Sequence, residues 1–188
     1  MFASLILLIA QFALGGLSLL LLLRVYMQWR RLSLRNSLGQ FIMATTNWLV
    51  LPLRRFLPSW RGIDLASLLS AWLLQTLLLG IAAGFGLTAV GGPLTLLWLG
   101  LIALLRLVLW LMLIVVLLVA ILSWVNPGAP VMPLLDELSR PWLRPFRRHV
   151  PLIGGIDISP LLLLLLLQIG LVLLNGLGQG GSGALGGW

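Results

Sequence analysis

Two aspartates occupy matching positions in the chain, each directly before a long apolar run. Asp64 precedes Leu65, and Asp157 follows 93 residues later, before Ile158. A carboxylate at the start of a helix accepts hydrogen bonds from unpaired backbone N–H groups and complements the positive end of the helix dipole. Our first interpretation of both residues is therefore a helix cap. The alternative is a pair of acids at the mouth of a cation path.

Paired arginines precede each aspartate at the same 93-residue offset. A guanidinium group binds phosphate through two parallel hydrogen bonds, and positive charge beside an apolar run anchors it on one side of a membrane. We interpret these arginines as topology anchors and as candidates for binding phospholipid headgroups or a partner's acidic surface. They are Arg54, Arg55, Arg147 and Arg148, with Arg144 close to the second pair.

Gln75 and Gln168 share the offset too, each 11 residues after its aspartate. That spacing puts the glutamine on the same helix face as the aspartate and ~16 Å further along. An amide in hydrocarbon needs a hydrogen-bond partner, so we expect both to face the bundle interior. There they would fix helix packing or line a pore, and Gln11 could join either arrangement.

Residue sets for catalysis or metal binding are missing from the sequence. It has no cysteine, and its one histidine, His149, lies among arginines without a nearby group of carboxylates. No nucleophile with a partnering base is visible, nor a glycine-rich phosphate loop before a strand. We expect no enzymatic activity, no cofactor and no metal.

The composition is that of an integral membrane protein. The 188 residues are 61% hydrophobic and 9% charged, with a mean hydropathy of +1.14, whereas soluble domains are ~45–50% apolar and ~25% charged. All basic residues are arginine, and the net charge is +8. Because these arginines lie between apolar runs, we expect anionic phospholipids as partners and no nucleic acid.

Four apolar runs are long enough to span a bilayer: 2–23, 65–87, 94–124 and 158–174. The third run is too long for one crossing. We predict its span from about Arg106 to Trp124, with Leu94–Leu105 at the outer surface or extending obliquely and Arg106 reaching the interface. Gly80 and Gly84 form a GxxxG pattern that permits close helix packing. Residues 41–53 are predicted to form an amphipathic segment in the headgroup layer, and Pro52 and Pro58 should interrupt any long helix there.

The arginine distribution predicts the topology. Apart from Arg106, every arginine lies between the first and second runs or between the third and fourth. The positive-inside rule puts both basic connections in the cytoplasm and both termini in the periplasm. Each half then holds two spans with the same orientation. We predict an all-α membrane protein of two parallel repeats, 1–88 and 94–175, followed by a flexible glycine-rich tail, 176–188.

Both halves carry sequence motifs that resemble the YggT family of bacterial integral membrane proteins. In the first half these are Arg24-Val25-Tyr26-Met27-Gln28-Trp29, Pro52-Leu53-Arg54-Arg55 and Gly62-Ile63-Asp64. In the second they are Leu122-Ser123-Trp124-Val125, Arg144-Pro145-Phe146-Arg147-Arg148 and Gly154-Gly155-Ile156-Asp157-Ile158-Ser159-Pro160. One departure is that Arg24, five residues before Trp29, corresponds to Val119 before Trp124.

The resemblance implies residence in the bacterial plasma membrane, with links to osmotic or potassium tolerance. Plastid relatives are linked to cytochrome assembly or to division and nucleoid organisation. We predict a non-enzymatic membrane organisation or assembly factor that binds lipid headgroups, other membrane proteins or a second copy of itself. The alternative function is a channel or transporter for potassium or an osmolyte, with Asp64 and Asp157 at its mouth.

Overall fold

The computed structural model describes residues 2–32, 36–57, 59, 62–88, 90–126, 128–149 and 158–184, whose regular elements are helices. A π-helical turn, Gln11–Gly15, joins the first two α-helices into one continuous helix. The α-helices in chain order are α1 (Phe2–Ala10), α2 (Gly16–Trp29), α3 (Ser37–Arg54), α4 (Leu65–Gly84), α5 (Pro93–Val125), α6 (Met132–His149) and α7 (Ser159–Ala184).

Within the described residues, four helical segments are long and apolar enough to cross a membrane, which confirms the predicted all-α membrane fold. They are Phe2–Trp29, Leu65–Gly84, Pro93–Ser123 and Ser159–Gly178. The glycine-rich stretch after Asn175, predicted as a flexible tail, is helical as far as Ala184. The helix continues there even though each glycine lowers helix stability by ~1 kcal/mol.

The amphipathic segment predicted for 41–53 is the central part of α3. The helix begins earlier because the Asn36 side chain accepts a hydrogen bond from the Gly39 N–H at 2.8 Å. Pro52 does not interrupt it but lies in its last turn. One stripe of α3 is buried, including Ile42, Thr46 and Val50.

The second repeat has a matching amphipathic helix, α6. Its residues at the 93-residue offset from Ile42, Thr46 and Val50 are Leu135, Ser139 and Leu143, and all three are buried. The internal repeat seen in the sequence therefore extends to the buried face of the connecting helix.

The start of α5 packs antiparallel against α4. The Trp72 indole N–H donates to the Leu97 carbonyl at 3.3 Å. A Cβ added to Gly100 would lie 3.1 Å from the Thr76 Cβ, so the two backbones approach closely there. Extending this antiparallel register from Thr76 and Gly100 puts Arg106 level with Ser70, beside the second turn of α4.

The contacts of this hairpin differ in part from two of the sequence predictions. Leu94–Leu105 is not set apart from the span predicted to begin at about Arg106, because it packs along α4 as the first part of one unbroken helix. In the predicted GxxxG pattern, a Cβ at Gly80 would meet the Leu96 side chain of α5 at 3.7 Å, whereas one at Gly84 would meet nothing within 4 Å. Gly100 is instead the glycine at which the helices come close.

The chain divides into two compact units. The first comprises Met1–Leu107 and Gly176–Trp188, and the second comprises Val108–Asn175. In the first unit α2 packs against α4, and α3 lies against both. In the second unit α5 and α7 approach at Gly170, where a Cβ would meet the Leu109 side chain at 3.2 Å.

Candidate functional site

Charged and polar side chains of the first unit meet where α2, α3 and α4 come together. Arg24 and Gln28 come from α2, Arg54 ends α3, and Asp64 caps α4. Arg24 and Gln28 are four residues apart and therefore lie on the same face of α2. We call these four residues the arginine–aspartate cluster.

Asp64 is a helix cap, as predicted. Its side chain accepts the backbone N–H of Ser67 at 3.4 Å and the Ser67 hydroxyl at 2.7 Å. Only 1% of the carboxylate side chain is exposed. Asp64 thus carries its charge in a buried position, where an ion needs partners of opposite charge.

Arg54 supplies an opposite charge, and Gln28 supplies a neutral hydrogen bond. The Arg54 Nη2 lies 2.6 Å from Asp64 Oδ2. With its amide oriented to suit both neighbours, Gln28 accepts from Arg54 at 3.0 Å and donates to Asp64 at 3.2 Å. The end of α3 is thereby connected to both α2 and α4.

Arg24 joins the same carboxylate from inside the first spanning helix. Its Nε lies 3.6 Å from Asp64 Oδ2, and its side chain is 0% exposed. Its Nη1 donates to the Thr46 hydroxyl at 2.7 Å and to the Asn47 side-chain oxygen at 3.0 Å. A buried guanidinium thus ties α2 to the middle of α3.

The cluster holds Asp64 in its ionised form. Burial alone would raise the pKa of the Asp64 carboxyl, but hydrogen bonds from Arg54 and Ser67 outweigh this and hold the pKa below its ordinary value. Two guanidinium groups and one carboxylate leave a net charge of +1 in the cluster. A carboxylate shared in this way offers little room for a passing cation, whereas the excess positive charge attracts anions.

The exposed arginines named from the sequence lie on the two connections. Arg55 follows α3, and Arg144, Arg147 and Arg148 lie on α6. Arg54 differs from them because it belongs to the cluster while its side chain stays 36% exposed. Asp157 lies outside the described residues, as does the side chain of His149.

The three glutamines predicted to lie within the membrane differ in their exposure. Gln75 is buried on α4, as expected for a residue facing the bundle interior. Gln168 is exposed on α7, so the same expectation is wrong for this residue. Gln11 is exposed in the π-helical turn. Matching positions in two copies can differ in burial because helix packing, rather than sequence spacing, decides which face is covered.

Sequence reasoning missed Arg24 and Gln28 as cluster members, and it missed Thr46 and Asn47 as the partners of Arg24 on α3. One signal pointed to the arginine: a charge in the last turns of an apolar run requires a counter-ion, and Asp64 is the only acid of the first half. No sequence pattern identified the α3 residues, because their role depends on how α3 crosses α2.

Comparison with known proteins places these observations in a family. The model of the CCB3/YggT family matches residues 3–84 and 98–178, in two successive segments. The two segments agree with the internal repeat. No solved structure matches the chain significantly.

Several curated bacterial proteins are similar over most of their length. An uncharacterized protein named YggT from Escherichia coli strain K12 is 40% identical over 154 residues, covering 81% of this chain and 79% of that protein. An uncharacterized protein of Pseudomonas aeruginosa is 39% identical over 161 residues, covering 83% and 81%. One from Vibrio alginolyticus is 38% identical over 154 residues, covering 80% and 82%.

Proposed function

The chain belongs to the CCB3/YggT family, and from this premise we propose that it is a non-enzymatic membrane organisation protein that binds anionic phospholipid headgroups through its arginine-rich connections. It resides in the bacterial plasma membrane, with both connections at the cytoplasmic surface and both termini in the periplasm. The same arginines can hold the acidic surface of another membrane protein, which would let the chain act in assembly.

The observation that carries this proposal is the excess of guanidinium groups over carboxylates at the connections. In the first connection Asp64 is shared by Arg24 and Arg54, which leaves positive charge in the cluster, and Arg55 is exposed beside it. In the second, α6 carries Asp136 and Glu137 against Arg140, Arg144, Arg147 and Arg148, and these four arginines are exposed. Each arginine near an anionic membrane surface contributes ~1 kcal/mol of attraction.

A channel or transporter for potassium or an osmolyte, serving osmotic tolerance, is the competing function. It would need Asp64 open to ions and polar groups that face water along the spans. Asp64 is instead enclosed by its arginines and Ser67. On α4 the buried Ser70 hydroxyl donates to the Ala66 carbonyl at 2.7 Å, and the Thr76 hydroxyl donates to the Trp72 carbonyl at 2.9 Å. These hydroxyls are satisfied by their own helix without water.

Lipid retention by the purified protein tests the proposal. The test variant carries Arg55→Gln, Arg144→Gln and Arg148→Gln, which spare Arg54 because that side chain holds Asp64. At ~1 kcal/mol per charge, affinity for phosphatidylglycerol should fall ~100-fold. The matched control replaces the same three residues by lysine, which keeps the charge and should retain most of the binding. Native mass spectrometry in a phosphatidylglycerol and phosphatidylcholine mixture measures both.

Two results would contradict the proposal. One is equal phosphatidylglycerol retention by the glutamine variant and the unmodified protein. The other is potassium flux through liposomes containing the protein, abolished by Asp64→Asn in protein that remains folded, which would establish the channel instead.

A further inference from the structure

An apolar groove of about 960 Å³ opens between the first spanning helix and the amphipathic helix α3. Its floor is formed by residues on both sides of the π-helical turn, including Leu8, Gly16 and Leu20. Phe41, Thr45 and Trp48 form its α3 wall. These wall residues are spaced by three and four positions and therefore share one face of α3.

The groove has the length of one membrane leaflet. Leu8 and Leu20 are separated by twelve residues, which corresponds to ~18 Å of helix. Half of the ~30 Å hydrocarbon core is ~15 Å. The groove is open toward the surroundings of the spanning helix, since Phe12 is 86% exposed and Trp48 is 65% exposed. A groove of this length and polarity fits a hydrocarbon chain that lies along the helix.

One end of the groove adjoins the arginine–aspartate cluster. Leu20 lies one helical turn before Arg24. Thr45 is followed by Thr46, whose hydroxyl accepts a hydrogen bond from Arg24. The cluster carries a net charge of +1. An apolar groove that ends beside excess positive charge complements a molecule with an apolar chain and an anionic head.

We propose that the groove holds one acyl chain of an anionic phospholipid, with the phosphate at the cluster end. The lipid belongs to the leaflet on which the basic connections lie. This inference rests on the headgroup binding proposed above and adds a subsite for one acyl chain of the bound lipid. Gly16 makes the site possible, because it leaves the groove floor without a side chain.

Two neighbouring glycines provide a matched pair of variants. Gly16 lines the groove and Gly15 does not, yet a Cβ at either position meets nothing within 4 Å. Gly16→Leu fills the groove, whereas Gly15→Leu adds the same side chain outside it. Because the displaced chain remains in hydrocarbon, the loss in Gly16→Leu is that of the van der Waals contacts between the chain and the groove.

The first readout is retention of dioleoyl-phosphatidylglycerol in native mass spectrometry. The second is quenching of tryptophan fluorescence by phosphatidylglycerol that is brominated in its acyl chains. The part of the quenching that comes from Trp48 is the part that Trp48→Phe lacks. Gly16→Leu should lower retention and remove most of the quenching due to Trp48. Gly15→Leu should leave both unchanged. If Gly16→Leu does not fold, Ala13→Leu, which also fills the groove, replaces it.

Each outcome decides between the proposals. If Gly16→Leu binds lipid as Gly15→Leu does, while the triple glutamine variant loses it, the groove proposal is overturned and headgroup binding stands. If neither variant loses lipid, both proposals fall. If Gly16→Leu changes the oligomeric state and leaves lipid retention unchanged, the groove binds a second copy of the chain, and the proposal that it binds lipid is overturned.

Discussion

In the first repeat a buried arginine, Arg24, joins the spanning helix to the amphipathic helix α3. When the two repeats are aligned on Trp29 and Trp124, the residue that corresponds to Arg24 is Val119, which is equally buried. The partner of Arg24 on α3 is the Thr46 hydroxyl. Its counterpart, Ser139, donates to the Asp136 carbonyl of its own helix at 3.3 Å. The two copies thus place an ion and an aliphatic side chain at corresponding positions.

This difference indicates that the repeat can form without a buried ion. Replacing a buried ion pair by apolar residues of similar size is often neutral for stability, whereas removing one partner of the pair is strongly destabilising. The arginine–aspartate cluster therefore gives the first repeat a positive site and a strong dependence on Asp64. The second repeat should lack that dependence.

Loss of the Asp64 charge is expected to have the largest effect. Asp64→Asn leaves Arg24 and Arg54 without their shared carboxylate and should lower the free energy of unfolding by ~3–5 kcal/mol. Asp157→Asn, at the matching position of the repeat that carries Val119, keeps a side chain able to cap a helix and should cost no more than ~1 kcal/mol, through loss of negative charge at the helix N-terminus. Chemical denaturation in detergent micelles measures both. Equal costs would show that the two repeats depend on their aspartates alike.

Acidification should reproduce part of the Asp64→Asn effect. An unfolded aspartate titrates near pH ~3.9, and the pKa of Asp64 in the fold is lower. Its stabilisation is therefore complete above the unfolded value and is lost as the pH falls through the folded value. The difference in thermal stability between the unmodified protein and Asp64→Asn should be wide at neutral pH and narrow below pH ~4. A constant difference would contradict the ionised cluster.

The helix contacts of the two units should differ in their tolerance of a methyl group. A Cβ on Gly100 would lie 3.2 Å from the Thr76 Cα, whereas one on Gly170 meets only the end of Leu109. Gly100→Ala should cost ~1–3 kcal/mol because the backbone must shift. Gly170→Ala should cost less, since a leucine side chain can turn away. Thermal unfolding of the two variants tests this, and a larger cost for Gly170→Ala would contradict the packing described.

The smallest effect is expected where the first repeat is made to resemble the second. Arg24→Met keeps most of the side-chain volume, and Asp64 retains Arg54 and Ser67, so stability should change by no more than ~1 kcal/mol. In the Arg24→Met background, Asp64→Asn should also cost less than it does alone, which a double-mutant cycle measures. A loss in Arg24→Met as large as that in Asp64→Asn would show that Arg24 is essential to the fold.

The sequence was informative where physical chemistry acts locally. The lengths of the apolar runs predicted the four spans, the position of Asp64 before Leu65 predicted its cap, and the 93-residue offset predicted the repeat. Each of these depends on neighbours along the chain or on the bilayer thickness. The membrane fold, and the places along the chain where the basic connections lie, can therefore be predicted from the sequence.

Contacts between distant segments could not be predicted in the same way. Gly84 and Gly100 are both glycines in apolar helices, and only the pairing of α4 with α5 decides which one meets a neighbour. Gln75 and Gln168 have the same spacing from their aspartates, yet one is buried and the other is exposed. The link between Arg24 and Thr46 likewise follows from the crossing of two helices, which no periodicity encodes.

Side-specific labelling of single cysteines tests the parallel arrangement of the two repeats most directly. The chain has no cysteine of its own, so Ser37→Cys, Thr88→Cys and Glu137→Cys, all at exposed positions, each report one connection. With a membrane-impermeant maleimide on intact cells, only Thr88→Cys should react, and the other two should react after permeabilisation. Labelling of Ser37→Cys and Glu137→Cys from opposite sides of the membrane would contradict the parallel repeats and the shared lipid-binding surface.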